Sequence, residues 1–327
     1  CSKIKLTMRI DEIVKNTNAK VLLNKGSNVD ITTFSTDTRT IKNGDFYLPL
    51  KGESFDGEKF IAQAIEKGAI GYFTTSDEVV ENAQFALKVP DTKIAYLELA
   101  RAYRKLINPK VVMITGSSGK TTTKELVYSV CSKKFETFKT PLNHNNEVGL
   151  CQTIFDMPKT TQVLIIEGGM RGFGEIELIS KYCVPDISII CNVGTAHIGR
   201  LGSRENIAKA KCEITKFQNP NGTFIAHNNQ LIKDNIVFSG EKIFYSISDT
   251  KILDKKIAYS KFLYKNEEYE LNVEGEYNIE NSLAAINVGE VLGIETSLIK
   301  SGLKSYKPIE KRWESEIINN YEIINDS

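Results

Sequence analysis

Val111-Val112-Met113-Ile114-Thr115 runs directly into Gly116-Ser117-Ser118-Gly119-Lys120-Thr121-Thr122, and the change of character along this stretch decides the fold. The first part is a short apolar run of the kind buried on both faces of a parallel sheet. The second is a glycine-bounded turn that opens onto a helical pattern extending through Val130. Glycines let the backbone turn tightly, so that successive N–H groups face one point, and the helix behind them adds partial positive charge. Phosphate oxygens complement such a cradle. Lys120 would reach β- and γ-phosphates, and Thr121 would offer a hydroxyl to Mg²⁺. The strict phosphate-loop spacing is not met, because Ile114 stands where its first glycine belongs. The strand–loop–helix context still marks Gly116, Ser117, Ser118, Gly119, Lys120, Thr121 and Thr122 as a nucleotide-phosphate site, without saying which reaction it serves.

Downstream, VLIIE (163–167) and ISIICNV (187–193) read as two more buried strands with helical segments between them. Strands alternating with helices predict a mainly parallel sheet covered on both faces. In such sheets the strand carboxyl ends line the ligand crevice. Glu167 ends one strand, His197 follows the next, and the glycine turn follows the first, so all three share a rim; a carboxylate there suits a hard cation. Lys209 and Lys211 lie on a predicted helix and, taken alone, read as a solvated face. Upstream, 46–50 and 70–73 read as strands, 58–67 as a helix closed by Gly68, and 92–107 as a helix broken at Asn108-Pro109. Beyond the predicted sheet, 242–248 and 262–273 alternate like antiparallel strands, 279–292 reads as an amphipathic helix, and 321–325 as a further strand. The predicted fold class is α/β, divided as 1–108, 109–318 and 319–327.

The 327 residues suffice for two or three domains, and 42 basic against 41 acidic residues give no sign of a nucleic-acid or membrane-facing surface. No apolar run approaches the roughly 18 residues of a membrane span. Cys1 to Thr7 precede Met8 and form no apolar signal core. The six cysteines include no C-x-x-C pair and fall mostly in apolar segments, which predicts reduced, buried thiols in a cytoplasmic protein. Three histidines leave few ligands for zinc.

From about Met8 to its last residue the sequence resembles the Mur ligases. The resemblance is carried by Ser35-Thr36-Asp37-Thr38-Arg39, Lys51 to Gly57, the glycine turn, Asn143-His144-Asn145-Asn146-Glu147-Val148-Gly149, and the long stretch from Glu167 to Ile176. It continues through Asn192, His197, Gly202 to Glu205, Lys211, Gly275 to Asn281 and Arg312. The asparagine-rich and G-E-I segments point to the subgroup that joins D-alanyl-D-alanine to UDP-N-acetylmuramoyl-tripeptide. What the resemblance implies is an ATP-dependent, Mg²⁺-requiring amide ligase of peptidoglycan synthesis, acting as a monomer. The first domain would hold the UDP end of the substrate through Ser35, Asp37, Arg39, Lys51, Asp56 and Gly57, with Asn143, Asn145 and Asn146 as further substrate contacts. Lys120 would act in catalysis, and Thr121, Glu167, His197 and Lys211 would hold the metal, Lys211 as a carbamate. Asn278 and Asn281 would contact adenine, and Arg312 the ATP phosphate or ribose.

Two departures stand out. Residues 222–229 carry Asn where the family often has Asp. Asp326-Ser327 resembles the opening of a segment that leads, in the family, into a further Rossmann-like domain, so the chain by itself is expected to be catalytically weak. Readings left open by the sequence are a sibling ligase adding diaminopimelate or lysine, a folylpolyglutamate-synthetase-like enzyme, and a non-catalytic nucleotide-binding scaffold.

Overall fold

A computed structural model describes residues 7–26, 29–52, 55–141, 144–308, 314–318 and 321–325. Asn143, Arg312, Asp326 and Ser327, and with them Glu53 and Ser54 of the Lys51 to Gly57 motif, lie outside the described residues.

The N-terminal unit is built on a five-stranded sheet in the spatial order Lys20–Asn24, Phe85–Lys88, Gly71–Thr74, Phe46–Tyr47, Phe34–Ser35. The first pair is antiparallel and the others parallel. Of the run at 46–50 only Phe46–Tyr47 is a paired strand, and Pro49, which has no N–H, cannot donate to a ladder. The predicted helix at 58–67 begins as a 3₁₀ turn, Gly57–Phe60, capped by Asp56, before Ile61–Glu66 becomes α-helical.

Helix Thr92–Ile107 carries the join to the rest of the chain, and it matches the sequence reading at both ends. The Asp91 side chain accepts a hydrogen bond from the Ile94 N–H at 3.0 Å, satisfying one of the otherwise unpaired N-terminal donors. At the other end Asn108 adopts φ 53°, the left-handed conformation that asparagine tolerates, and Pro109 cannot continue the helix. Its buried face, Ala95, Tyr96, Leu99, Ala100 and Tyr103, recurs at helical spacing. That face packs on helix Glu147–Asp156 of the second unit. Phe155 is the hinge of this contact, stacked on Tyr96, edge-on to Tyr103 and tilted against Phe34.

The second unit holds six parallel strands in the order Glu241–Tyr245, Thr223–His227, Ile187–Ile190, Lys110–Thr115, Val163–Glu167, Thr137–Lys139. The chain leaves the central strand Lys110–Thr115 in one direction, returns beside it, then crosses to its other side. That reversal creates a switch point at the strand carboxyl ends.

Three sequence expectations need correcting. Strand 187–193 stops at Ile190; Cys191 and Val193 are buried as core residues without continuing the pairing. The 242–248 segment is not antiparallel: Glu241–Tyr245 adds a parallel edge strand beside Thr223–His227, and the antiparallel meander comprises Thr250–Lys256, Tyr259–Tyr264 and Glu267–Leu271 instead. The amphipathic helix at 279–292 is Glu276–Val291, buried almost all round. Helices Lys120–Cys131 and Thr296–Lys304 and the edge of the sheet all pack on it, and Gly289 lets Ile299 come close. Strand Tyr321–Asn325 pairs antiparallel with Glu314–Ile318. No helix among the described residues is long and apolar enough to cross a membrane.

Removing the cap at Asp91 should weaken the helix that joins the two units. Asp91→Ala is expected to cost about 1 kcal/mol in a denaturant-unfolding experiment, while Asp91→Asn, which can cap as well, stays within about 0.5 kcal/mol of the parent.

Candidate active site

The glycine turn sits at the carboxyl end of the central strand, and helix Lys120–Cys131 starts immediately behind it. Gly119 has φ 75°, and a Cβ there would stand 2.7 Å from the Asn281 side chain, so both conformation and close approach require glycine. The turn is fastened by the next strand over. The Asn192 side-chain oxygen accepts hydrogen bonds from the Ser117 and Ser118 N–H groups at 3.1 and 3.0 Å, and its amide nitrogen donates to the Ser118 carbonyl. The Lys120 ammonium donates to the Gly116 carbonyl at 3.0 Å, which folds it over the loop.

Glu167 ends the neighbouring strand, and its backbone N–H donates to Thr140 Oγ1. Its carboxylate, only 7% exposed, accepts a hydrogen bond from Thr121 Oγ1 at 3.2 Å on one oxygen. The other oxygen lies 3.1 Å from Lys124 Nζ, a side chain that is 1% exposed. Sequence reasoning missed Lys124. The signal was present, because Lys124 follows Lys120 by four positions and Thr121 by three, which puts all three on one helix face.

Lys211 lies on helix Arg204–Cys212 and is 1% exposed, not on a solvated face. Burial and then repulsion by Lys120 lower its pKa from 10.5 to about 7, with Cys191 opposing. The exposed His197, at φ 68°, has its pKa lowered by partial desolvation and by the charges of Lys211, Lys120 and Arg200. Lys120, His197 and Lys211 therefore occupy one electrostatic neighbourhood, and Glu167 joins it at Cys191, which feels Lys120, Lys211 and Glu167 together. Among the described residues no group of three or more His, Cys, Asp or Glu side chains is arranged to hold a metal. A hard cation at Glu167 would have to draw on the Thr121 hydroxyl, phosphate oxygens and a modified Lys211; the Glu167 carboxylate and Thr121 hydroxyl are oxygen donors of the kind Mg²⁺ takes.

Next to the loop is a cleft of about 710 Å³ lined by Ser118, Thr122, Asn192, Tyr277, Asn278 and Asn281, among others. Asn278 donates to the Glu274 carbonyl at 2.6 Å. Glu280 also faces this cleft and pairs with His227 at 3.2 Å, a contact the sequence did not suggest. Asn229, in the segment where Asn replaces Asp, caps helix Gln230–Asn235.

In the N-terminal unit Ser35, Asp37, Asp56 and Gly57 lie close to Tyr47, with Arg39 paired to Asp37. Asp37 accepts a bidentate pair of hydrogen bonds from Arg39, which hold its pKa down at about 2. The Ser35 hydroxyl donates to the Asp37 carbonyl, and Tyr47 donates to the Gly57 carbonyl. Burial, reinforced by Asp37 and Asp56, pushes Tyr47 up to about 12. Lys51 pairs with Glu58 at 3.2 Å. A Cβ at Gly57 would stand 2.7 Å from the Leu50 carbonyl, so the turn admits only glycine. Of the asparagine group, Asn145 presents its carbonyl to the Gly169 N–H, whereas the Asn146 side chain is committed to capping helix Glu147–Asp156.

A glycine loop at the switch point of a parallel sheet, with a carboxylate–hydroxyl pair beside it, defines a phosphate-loop nucleotide-binding fold. Residues 114–289 match the Mur ligase middle domain, and residues 30–110 match the catalytic domain of the Mur ligase family. The UDP-N-acetylmuramoyl-tripeptide–D-alanyl-D-alanine ligase of a Synechocystis species is 36% identical, over 93% of this chain and 68% of its own length. The crystal structure of MurF from Acinetobacter baumannii superposes with a TM-score of 0.89 at 27% identity, covering 99% of this chain and 73% of that one. MurF ligase from Thermotoga maritima, solved in complex with ADP, gives 0.79 at 26% identity, covering 90% of this chain and 70% of that one. The chain belongs to the Mur ligase family. It spans about two thirds of the length of the curated relatives it matches.

The lowered pKa of Lys211 has a consequence for stability. Between about pH 7 and 10.5 the unfolded chain keeps a proton at this amine that the folded chain has released, so stability rises with pH through that window. Isothermal unfolding at several pH values should show this rise in the parent protein and a flatter profile in Lys211→Met.

Proposed function

We propose that this protein is an ATP-dependent ligase that joins D-alanyl-D-alanine to UDP-N-acetylmuramoyl-tripeptide, acting in the cytoplasm as a monomer during peptidoglycan synthesis. What carries the reading is the shared rim of Lys120, Thr121, Glu167 and Lys211 at a glycine loop, together with relatives named for this activity over most of the chain. Residues 1–108 would hold the UDP moiety through Ser35, Asp37, Arg39, Lys51, Asp56 and Gly57, and Asn145 would serve the substrate further along. Asn278 and Asn281 would face adenine in the cleft beside the loop, with the turn from Gly116 to Thr122 around the phosphates.

The chemistry such a site serves has two steps. An oxygen of the peptide's terminal carboxylate attacks the γ-phosphorus, the bond to the bridging oxygen breaks, and ADP leaves an acyl phosphate. The amine of D-alanyl-D-alanine then attacks the acyl carbon, expels phosphate and loses a proton. Lys120 and the loop N–H groups would offset charge on the phosphoryl oxygens, and positioning carries much of the remainder. Mg²⁺, when bound through Thr121, Glu167, His197 and carbamylated Lys211, supplies further neutralisation of that charge. The Lys211 pKa of about 7 favours the uncharged amine that carbamylation requires.

Amide formation should require ATP, the UDP-linked tripeptide and D-alanyl-D-alanine together, and Lys120→Ala should lower it by about 10²–10³-fold. Product formation with diaminopimelate or lysine on the UDP-linked dipeptide instead would move the chain to a sibling activity.

A further inference from the structure

Lys124 has a fully buried ammonium, and the phosphate-binding chemistry assigns it no task. Its Nζ lies 3.1 Å from Glu167 Oε2 and 3.9 Å from Glu125 Oε1. Glu125 is paired in turn with Lys139, whose ammonium stands 4.2 Å from the centre of the Tyr128 ring. Glu125 is thus neutralised from the outside, and Glu167 is the acid Lys124 answers. The partners depend on each other, since breaking a buried pair leaves an uncompensated charge that water cannot reach.

The geometry also limits what Glu167 can offer. One oxygen takes the Thr121 hydroxyl and the other faces Lys124. A divalent cation approaching this carboxylate meets an acid whose charge is already balanced, on a rim where Lys120 adds positive potential. The cation has little to gain there by itself. Arriving with a polyphosphate, whose negative charge offsets the lysines, it gains far more.

We infer that Lys124 is a positioning residue that acts as the internal counter-ion of Glu167, holding the carboxylate in place and making divalent-cation binding conditional on bound nucleotide. The inference rests on the proposed ATP- and Mg²⁺-dependent reading. It assigns the buried lysine the job of suppressing metal uptake by the nucleotide-free site. Lys124, four residues after the loop lysine, links the two events through one helix face.

The test uses the whole chain and Mn²⁺ as a paramagnetic probe, with free ion measured by electron paramagnetic resonance. Without nucleotide the parent protein should bind Mn²⁺ weakly, and Lys124→Met should bind it about 10-fold more tightly or better. Lys124→Arg, which keeps the charge, should return to the parent's weak binding. Lys124→Gln removes the charge but keeps a hydrogen-bond donor, so it should follow Lys124→Met and serves in its place if the methionine variant does not fold. With ATP present the difference between parent and neutral variants should shrink. Equal Mn²⁺ affinity for parent and neutral variants in the nucleotide-free state, or an arginine variant that behaves like methionine, would overturn the role of Lys124. Failure of the parent to take up Mn²⁺ even with ATP would instead overturn the ATP–metal reading beneath it.

Discussion

Ile114 is the register partner of both Glu167 and Ile189, so three parallel strands end level with one another. Everything functional at the rim depends on that alignment. A one-residue slip would turn Glu167 to the opposite face of the sheet and leave the glycine loop with no carboxylate beside it. The register is held by apolar side chains buried on both faces, and at the rim itself by hydrogen bonds. The Gly168 N–H donates to the Ile114 carbonyl, and Thr115 Oγ1 donates to the Gly168 carbonyl. A Cβ at Gly168 would stand 2.9 Å from the terminal methyl of Met113, so the core side chain packs directly beneath this turn. Packing of the core and placement of the acid are thus one constraint.

On that frame the site is electrostatically lopsided. Lys120 and Lys124 bring two ammonium groups to the rim where Glu167 is the buried acid, since Glu125 is answered by Lys139. Positive potential concentrated in a poorly hydrated crevice attracts a polyphosphate and repels a bare cation. The same excess helps to lower the Lys211 pKa, since Lys120 adds repulsion to the cost of burying an ammonium. The three lysines therefore differ in role through their neighbours. Lys120 folds over the loop, Lys124 answers Glu167, and Lys211 has its ammonium form disfavoured.

Much of the fold was legible in the sequence. Helix 92–107 carries both its stop signals, and strand 163–167 is an unbroken apolar run ending in an acid. The misreadings have specific physical causes. Cys191 and Val193 are buried as core residues, so their apolar character extended a strand whose pairing ends at Ile190. The polarity pattern of the 242–248 run does not by itself separate a parallel edge strand such as Glu241–Tyr245 from an antiparallel one. Helix Glu276–Val291 carries Asn278, Asn281 and Asn287 among apolar residues, and these polar positions suggested a wet face that does not exist. Asn287 is fully buried and bonded to Tyr264, while Asn278 and Asn281 look into the cleft beside the glycine loop.

The lysines mark the limit of sequence reading. A lysine at helical spacing is most often solvated; the spacing of Lys124 from Lys120 and Thr121 gives it a helix face but not its burial, and nothing in the pattern around Lys211 gives either. What buries them is tertiary. Helix Lys120–Cys131 is covered by helix Glu276–Val291 on one side and packs on the Val163–Glu167 strand on the other, so a side chain four residues after Lys120 has no route to water. A charge so enclosed must find its partner inside the protein, and at this end of the sheet the acid it reaches is the one at the tip of the next strand. The buried lysine and the rim carboxylate are therefore consequences of the same packing, and neither could be changed alone without disturbing the other.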